Sequence, residues 1–177
     1  MEIRQMKKLQ KLLLLFSFNF WRQFYLLFTS FLTGNIWAKS NLGDCGNDTD
    51  IDPTVRFGNY PQNIHIGRNC SLGYGTHVYA GPRSKISIGD ETLIGPFAFM
   101  TTEAFSASKE NPHDAHSGHE GDILIGEGVR IGAHSVLLPG IKVGNGASVG
   151  AGSIVTKDIP SKTVWAGNPA RLIKNLT

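Results

Sequence analysis

The stretch IGEGVR-IGAHSV-LLPGIK-VGNGAS-VGAGSI-VTKDIP, residues 125–160, repeats with a period of six. An aliphatic residue opens each hexad, at Ile125, Ile131, Leu137, Val143, Val149 and Val155, and glycine follows it in four of the six. A hexapeptide period is typical of a parallel β-helix, in which each hexad forms a short strand and a turn. The opening side chain then packs on its equivalent in the next coil, so the coils are stable only as a stack. We expect the glycine to supply a turn conformation that a Cβ would penalise.

The same register occurs upstream of this stretch. Aliphatic side chains or methionine recur six residues apart, at Ile66, Leu72 and Val78 and again at Ile88, Ile94 and Met100. About four extra residues within 80–85 interrupt the register, and about 19 more interrupt it within 106–124. Insertions into a solenoid map to its surface and often form its binding face. The sequence therefore predicts a β-helical domain over residues 51–177 that carries a long loop at 105–122.

Residues 1–50 have a different composition. Residues 1–11 are basic, and residues 12–33 are rich in Leu, Phe, Trp and Tyr, with their polar side chains on one helical stripe. Arg22 and Gln23 lie in the middle of this apolar stretch, which disfavours a membrane-spanning segment or a signal peptide. We expect an amphipathic helix within residues 1–33 that packs on the prism, packs in an oligomer or lies on a membrane surface. A polar linker or an irregular first coil would follow up to residue 50.

Length, charge and cysteine content limit the class of protein. A chain of 177 residues suits a single core, and its net charge of +3 is mild. The basic residues do not cluster on the repeat, so nucleic acid is not an expected partner. Cys45 and Cys70 lack the spacing of a zinc site or a disulfide framework, which indicates a reducing compartment. We predict a cytoplasmic protein, with peripheral contact at the inner face of the membrane if the N-terminal helix binds lipid.

Two C-terminal strings are the most specific motifs in the chain. Residues 154–160 read IVTKDIP and residues 166–171 read AGNPAR. Here the chain resembles the hexapeptide-repeat acyltransferases, and among them the sugar O-acetyltransferases that modify oligosaccharides and polysaccharides. The resemblance covers about residues 64–175. It implies a left-handed parallel β-helix, a homotrimer with each active site between two prisms, and acetyl-CoA lying along that groove as co-substrate, with no metal required.

The same resemblance assigns residues to the cofactor. Ala133 and Ala151 would meet the pantetheine arm, Thr156 and Lys157 would lie near the adenine and phosphates, and Arg171 would pair with a phosphate. The chemistry of these residues is consistent with those roles, because small turn residues let a thin arm approach and Arg presents forked donors to phosphate. Taken alone, the alanines could equally be ordinary small turn residues.

The acceptor hydroxyl needs a general base with a pKa near neutrality, which favours histidine. In the family, a histidine follows a Thr-containing string at the end of the coil before the long loop. Here that string is FMTTEAF, residues 99–105, and no histidine follows it. The loop carries His113, His116 and His119 instead. We expect His116 to be the base, with His113 as the second candidate and Asp114 orienting the imidazole.

Two functions of different classes remain open at this point. The first is an acetyl-CoA-dependent O-acetyltransferase acting on a sugar hydroxyl of a surface polysaccharide or oligosaccharide. The second is a structural trimer whose catalytic site has decayed. The intact C-terminal strings favour the enzyme, whereas the missing histidine after FMTTEAF favours the scaffold. Among enzymes, N-acylation of an amino sugar is the main rival, because the same groove serves both reactions.

Overall fold

Short parallel strands wind the chain into a triangular prism. The computed structural model describes residues 17–104 and 119–177, and from residue 44 onward these form three parallel sheets, one on each face. The first face contains β1 (Asp44–Cys45), β4 (Ile64–Ile66), β7 (Ile86–Ile88), β12 (Ile123–Ile125) and β15 (Lys142–Val143). The second face contains β2 (Asp50–Ile51), β5 (Ser71–Leu72), β8 (Leu93–Ile94), β13 (Arg130–Ile131), β16 (Ser148–Val149), β18 (Thr163–Ala166) and β19 (Arg171–Asn175), the last antiparallel to β18. The third face contains β3 (Arg56–Asn59), β6 (His77–Ala80), β9 (Phe99–Thr101), β14 (Val136–Leu137) and β17 (Ile154–Val155).

The hexad register predicted from the sequence is confirmed. Each hexad-opening residue between Ile66 and Val155 is at most 4% exposed, and its strand pairs with the equivalent strand of the next coil. Coils four and five are offset by three hexads, so that Ile131 pairs with Val149 and Leu137 with Val155. Since the side-chain period of a strand is two, this fixed register keeps one set of side chains inside the prism. The core is therefore a continuous apolar column along each face.

The reason for glycine after the aliphatic residue is different from the one we expected. None of these glycines has a positive φ; the left-handed positions fall elsewhere in the turns, as at Gly128, Gly146 and Gly152. A Cβ at Gly95 would lie 2.6 Å from the Ala133 nitrogen, and one at Gly89 would lie 2.7 Å from the Gly126 carbonyl carbon. The glycines are required because the backbone of the next coil passes too close for any side chain.

The N-terminal segment is helical as predicted, but it extends beyond the expected end. Helix α1 (Phe18–Phe31) continues into a π-helical turn, Leu32–Trp37, and a last α-helical turn, Ala38–Ser40. The linker expected from residue 34 is thus helical at its start, because Asn35 and Ala38 are buried against the first coil. The Asn35 side-chain amide donates to the Val55 carbonyl at 2.8 Å, which fixes this end of the helix on the prism.

The long insertion leaves the third face at the end of coil three. Strand β10 (Glu103–Ala104) pairs antiparallel with β11 (His119–Glu120), so the two ends of the insertion meet at a short hairpin stem. Glu120 accepts a salt bridge from Arg83 at 3.3 Å, and Glu103 accepts a hydrogen bond from the Asn59 amide at 3.1 Å. These contacts fix the position from which residues 105–118 depart, next to the third face.

Candidate active site

Ala133 and Ala151 lie one above the other at the edge between the second and third faces. Gly152 N–H donates to the Ala133 carbonyl at 2.8 Å, and the turns of coils four and five are stacked there. Ala133 is half-buried and Ala151 is exposed. The two alanines therefore form a narrow, smooth strip on which the backbone can be approached from outside, as the sequence assignment to a thin cofactor arm requires.

Arg171 lies at the C-terminal end of the same edge. The tail folds back so that Arg171 pairs with Ala166, and Ala166 packs directly over Gly150 of the preceding coil. The Arg171 side chain is exposed and donates one bond, from Nη1 to the Ala170 carbonyl at 2.9 Å. The ion pairs found among the described residues, Arg68–Asp90 and Arg83–Glu120, do not involve it. Its remaining N–H groups are therefore free to bind an anion.

Thr156 and Lys157 occupy the next corner of the prism. They follow β17, which separates them from the Ala151 turn, and both are exposed. The adjoining Asp158 accepts a hydrogen bond from the Lys142 backbone N–H at 2.8 Å. A shallow cleft on the first face begins at this corner and is lined by Lys142, Gly144 and Asp158 among others. Ala133, Ala151 and Arg171 are thus brought onto one edge, whereas Thr156 and Lys157 lie across the width of β17.

A ladder of aromatic rings continues the alanine edge toward the N-terminus. Tyr74, Phe97 and His134 come from three successive coils; the Phe97 and His134 rings stack at 4.9 Å, and Tyr74 meets Phe97 edge-on at 5.3 Å. Phe97 and His134 both have φ +57, a left-handed conformation that is strained for a bulky side chain. The equivalent turn positions of the neighbouring coils, Gly75 and Gly152, also have a positive φ, so the conformation belongs to the turn, and glycine adopts it at lower cost.

A second aromatic group lies two residues further on, on the outer side of the third face. His77, Tyr79 and Phe99 are half-buried and in mutual ring contact, with centroid separations of 5.7–6.2 Å. The Tyr79 ring covers Gly58, where a Cβ would overlap it. Burial raises the pKa of the Tyr79 phenol, against a lowering by Arg56, so the hydroxyl keeps its proton. This aromatic group adjoins the stem of the insertion, since the Thr102 N–H donates to the Tyr79 carbonyl at 3.1 Å, whereas the ladder lies at the opposite edge of the third face.

The three predicted catalytic residues, His113, Asp114 and His116, lie outside the described residues. Of the loop histidines, only His119 is described; it is exposed on β11, paired with Ala104. Sequence reasoning did not identify the aromatic surface of His77, Tyr79, Phe99, Tyr74 and Phe97. The available signal was ring-bearing residues at turn and outer positions of coils two and three, where coils four and five carry alanine, glycine or aliphatic residues at most of the equivalent positions.

Comparisons with known proteins identify the family to which the chain is similar. Residues 122–157 match the family described as Bacterial transferase hexapeptide (six repeats). The galactoside O-acetyltransferase of Escherichia coli K12 is 35% identical over 138 residues, which span 78% of this chain and 66% of that protein. The solved structure of a maltose O-acetyltransferase from Clostridium difficile 630 has 31% identity and a TM-score of 0.72, covering 79% of this chain and 73% of that one. The chain belongs to the hexapeptide-repeat acetyltransferases.

Membership in this family confirms the expected fold class, a left-handed parallel β-helix with an N-terminal helix and an inserted loop. A galactoside acetyltransferase solved in complex with coenzyme A is also similar, with 34% identity and a TM-score of 0.71 over 79% of this chain and 68% of that one. The assignments of individual site residues stay predictions, because they rest on motif and geometry.

The backbone strain at Phe97 leads to a testable prediction. Replacing Phe97 by Ala removes the ring contacts and keeps the strain, whereas Phe97→Gly also relieves a left-handed conformation that costs about 1–2 kcal/mol. Phe97→Gly should therefore have the higher free energy of unfolding of the two, measured by denaturant titration at equal protein concentration. Phe99 is the matched control, since it lies in an extended strand; there Gly should be less stable than Ala by about 0.5–1 kcal/mol. If Gly were the less stable at both positions, Phe97 would not be strained.

Proposed function

We propose that this chain transfers the acetyl group of acetyl-CoA to a sugar hydroxyl of a surface polysaccharide or oligosaccharide. The observation that carries the proposal is the single edge on which Arg171, Ala151 and Ala133 follow one another toward the N-terminus and then give way to aromatic rings. An anion-binding arginine, a smooth strip and a ring-lined surface match, in order, the phosphates, the pantetheine arm and the acceptor. The relatives named as galactoside and maltose O-acetyltransferases support the reaction class.

The cofactor is the more strongly supported of the two substrates. Coenzyme A carries phosphates at one end and a thiol at the other, so its site must combine cations with a narrow apolar passage. Arg171 supplies several exposed N–H donors, and phosphate accepts such forked donors well. Ala133 and Ala151 leave room for the arm. Thr156 and Lys157 would add a hydroxyl and a second cation from the next corner of the prism.

The alanine strip supplies only one wall of a passage. It is open to solvent along the prism edge in the single chain, and a flexible thioester arm on one wall would remain mobile. A second prism placed against the edge would close the groove. We therefore propose a homotrimer, in which three equivalent grooves form by rotation. In solution its mass would be three times the chain mass of 19.3 kDa.

The acceptor would bind on the aromatic surface next to the insertion stem. Ligand pockets combine aromatic side chains with a few placed polar groups, and this surface has the Tyr79 hydroxyl, the His77 imidazole and the Asn59–Glu103 pair. The apolar faces of a sugar ring can pack on such rings while its hydroxyls bond to the polar groups. An amino sugar would fit the same surface, and parallel assays with hydroxyl and amine acceptors separate O- from N-acylation.

The transfer reaction requires a general base that takes the proton of the acceptor hydroxyl. The hydroxyl oxygen attacks the thioester carbonyl while an imidazole takes its proton; the tetrahedral intermediate collapses, and the leaving thiolate recovers the proton. We assign this role to His116, with His113 as the second candidate and Asp114 orienting the ring. The support is the position of the hairpin stem, from which the loop departs beside the aromatic surface.

Loss of Arg171 tests the cofactor site. Charge-assisted hydrogen bonds contribute about 1.5–3 kcal/mol each, so Arg171→Ala should raise the Kd for coenzyme A by about tenfold or more, measured by titration calorimetry. Lys174→Ala is the matched control, because it removes an equally exposed cation from the same strand and should change the Kd by less than about twofold. If the two variants raised the Kd equally, Arg171 would contribute only its positive charge, and the proposed phosphate site would be ruled out.

Loss of His116 tests the base. His116→Ala should lower kcat by about 10²–10⁴ with little change in the Kd for acetyl-CoA, as expected when a general base is removed. The wild-type rate should rise with pH through an apparent pKa near 6.5, and that rise should disappear in the variant. His65→Ala, on the outer side of the first face, is the control and should keep full activity. If single replacement of each loop histidine leaves kcat within about twofold, the base lies elsewhere.

A further inference from the structure

Helix α1 projects from the β-helix with its apolar side chains uncovered. No residue of Phe18–Phe31 is buried. Phe18 is 81% exposed, Leu27 69%, Tyr25 65% and Trp21 56%. The attachment to the prism is confined to the C-terminal end, where the Arg56 side chain donates to Ser30 and the Asn35 amide donates to Val55.

A helix in this state requires a partner. Isolated helices shorter than about 12–15 residues are marginal in water, and most helical stability in proteins comes from packing an apolar face. α1 has 14 residues, none of which is buried, and its hydrogen bond to a described strand is the one from Arg56 of β3 to Ser30. Its large exposed rings form a continuous apolar surface, and such surfaces mark interaction sites.

The distribution of side chains around α1 resembles that of a helix lying at an interface. At about 100° per residue, the polar residues Asn19, Arg22, Gln23 and Ser30 lie on one stripe, which Leu26 interrupts. The opposite half of the circumference carries the apolar and aromatic side chains Phe20, Trp21, Phe24, Tyr25, Leu27, Phe28 and Phe31. Helices with a polar, basic stripe and a broad Trp/Phe/Leu side lie in the plane of a membrane surface.

The charge of the N-terminal segment favours an anionic membrane as the partner of α1. Residues 3–43 hold six of the seventeen basic residues, at Arg4, Lys7, Lys8, Lys11, Arg22 and Lys39, and none of the fourteen acidic ones. The rest of the chain is acidic on balance, with eleven basic and fourteen acidic residues. Packing two such segments together in a second copy of the chain would bring like charges together. An anionic lipid surface attracts each Lys or Arg that lies near it.

The length of α1 favours a helix that lies along the membrane surface over one that crosses the bilayer. Among residues 17–104 and 119–177, no helix has both the length and the hydropathy to cross a bilayer. At about 1.5 Å per residue, the 14 residues of α1 do not cover a hydrocarbon core of about 30 Å. The helical turns that continue it to Ser40 are held on the prism by the buried Asn35 and Ala38.

We propose that α1 lies flat in the surface of an anionic membrane, with its aromatic side in the acyl boundary and its polar stripe facing the headgroups. The β-helix would then be held beside the bilayer by the fixed junction at Asn35. This inference rests on the exposure, amphipathicity and charge of the N-terminal segment. It does not depend on acetyl transfer, and its test uses no activity assay.

The test is flotation of the full chain with vesicles of phosphatidylglycerol and phosphatidylcholine. The chain should float with mixed vesicles and at least tenfold less with pure phosphatidylcholine, and raising the salt to about 1 M should release it, since the Debye length is then about 3 Å. Phe24→Asp and Gln23→Asp add the same charge at consecutive positions, Phe24 on the apolar side of α1 and Gln23 at the edge of its polar stripe. Phe24→Asp should lower the partition coefficient at least tenfold, and Gln23→Asp should lower it by a much smaller factor.

Fluorescence provides a second readout that needs no disruptive variant. In a Trp37→Phe/Trp165→Phe chain, Trp21 is the remaining tryptophan, and its emission should shift to the blue on addition of anionic vesicles. Absence of binding to anionic vesicles, or equal losses in the two Asp variants, would overturn the proposal. So would an unshifted Trp21 emission, or a Phe24→Asp chain that dissociates to a smaller assembly without vesicles, because α1 would then be covered by another copy.

Discussion

Stacking of aliphatic side chains from coil to coil is the interaction on which the rest of the structure depends. On the second face, Ile51, Leu72, Ile94, Ile131 and Val149 follow one another through paired strands. Each of them is at most 7% exposed, and all belong to one buried apolar cluster that includes side chains from all three faces of the prism. Burial of apolar surface and parallel hydrogen bonding therefore act together to hold every coil in one rotational position.

The fixed rotation of the coils also aligns the turn residues at the outer edges of the prism. Because coils cannot turn relative to one another, turn residues with the same register form straight edges along the prism. Ala133 and Ala151 are neighbours for this reason, although 18 residues separate them in sequence. The Tyr74–Phe97–His134 ladder has the same origin. A long, thin cofactor and a ring-shaped acceptor can then be recognised by one edge, whose chemistry changes from coil to coil.

The sequence predicted the parts of the molecule that depend on the six-residue repeat. The hexads, their buried residues and the site of the insertion follow from spacing alone. The glycine after each aliphatic residue was located correctly but explained wrongly, because close approach of the next backbone cannot be read from one strand. The aromatic surface around Tyr79 was missed, because it forms between coils whose spacing is irregular. The extension of the N-terminal helix to Ser40 was missed because the burial of Asn35 and Ala38 depends on tertiary contacts.

The central claim is that the edge of Ala133, Ala151 and Arg171 is the acetyl-CoA site, and a crystal structure with coenzyme A bound tests it most directly. The account predicts the pantetheine arm in van der Waals contact with Ala133 and Ala151, phosphate oxygens bonded to Arg171, and the thiol directed toward the ladder of Tyr74, Phe97 and His134. Coenzyme A bound instead in the first-face cleft lined by Lys142, Gly144 and Asp158, with the alanine edge empty, would contradict it.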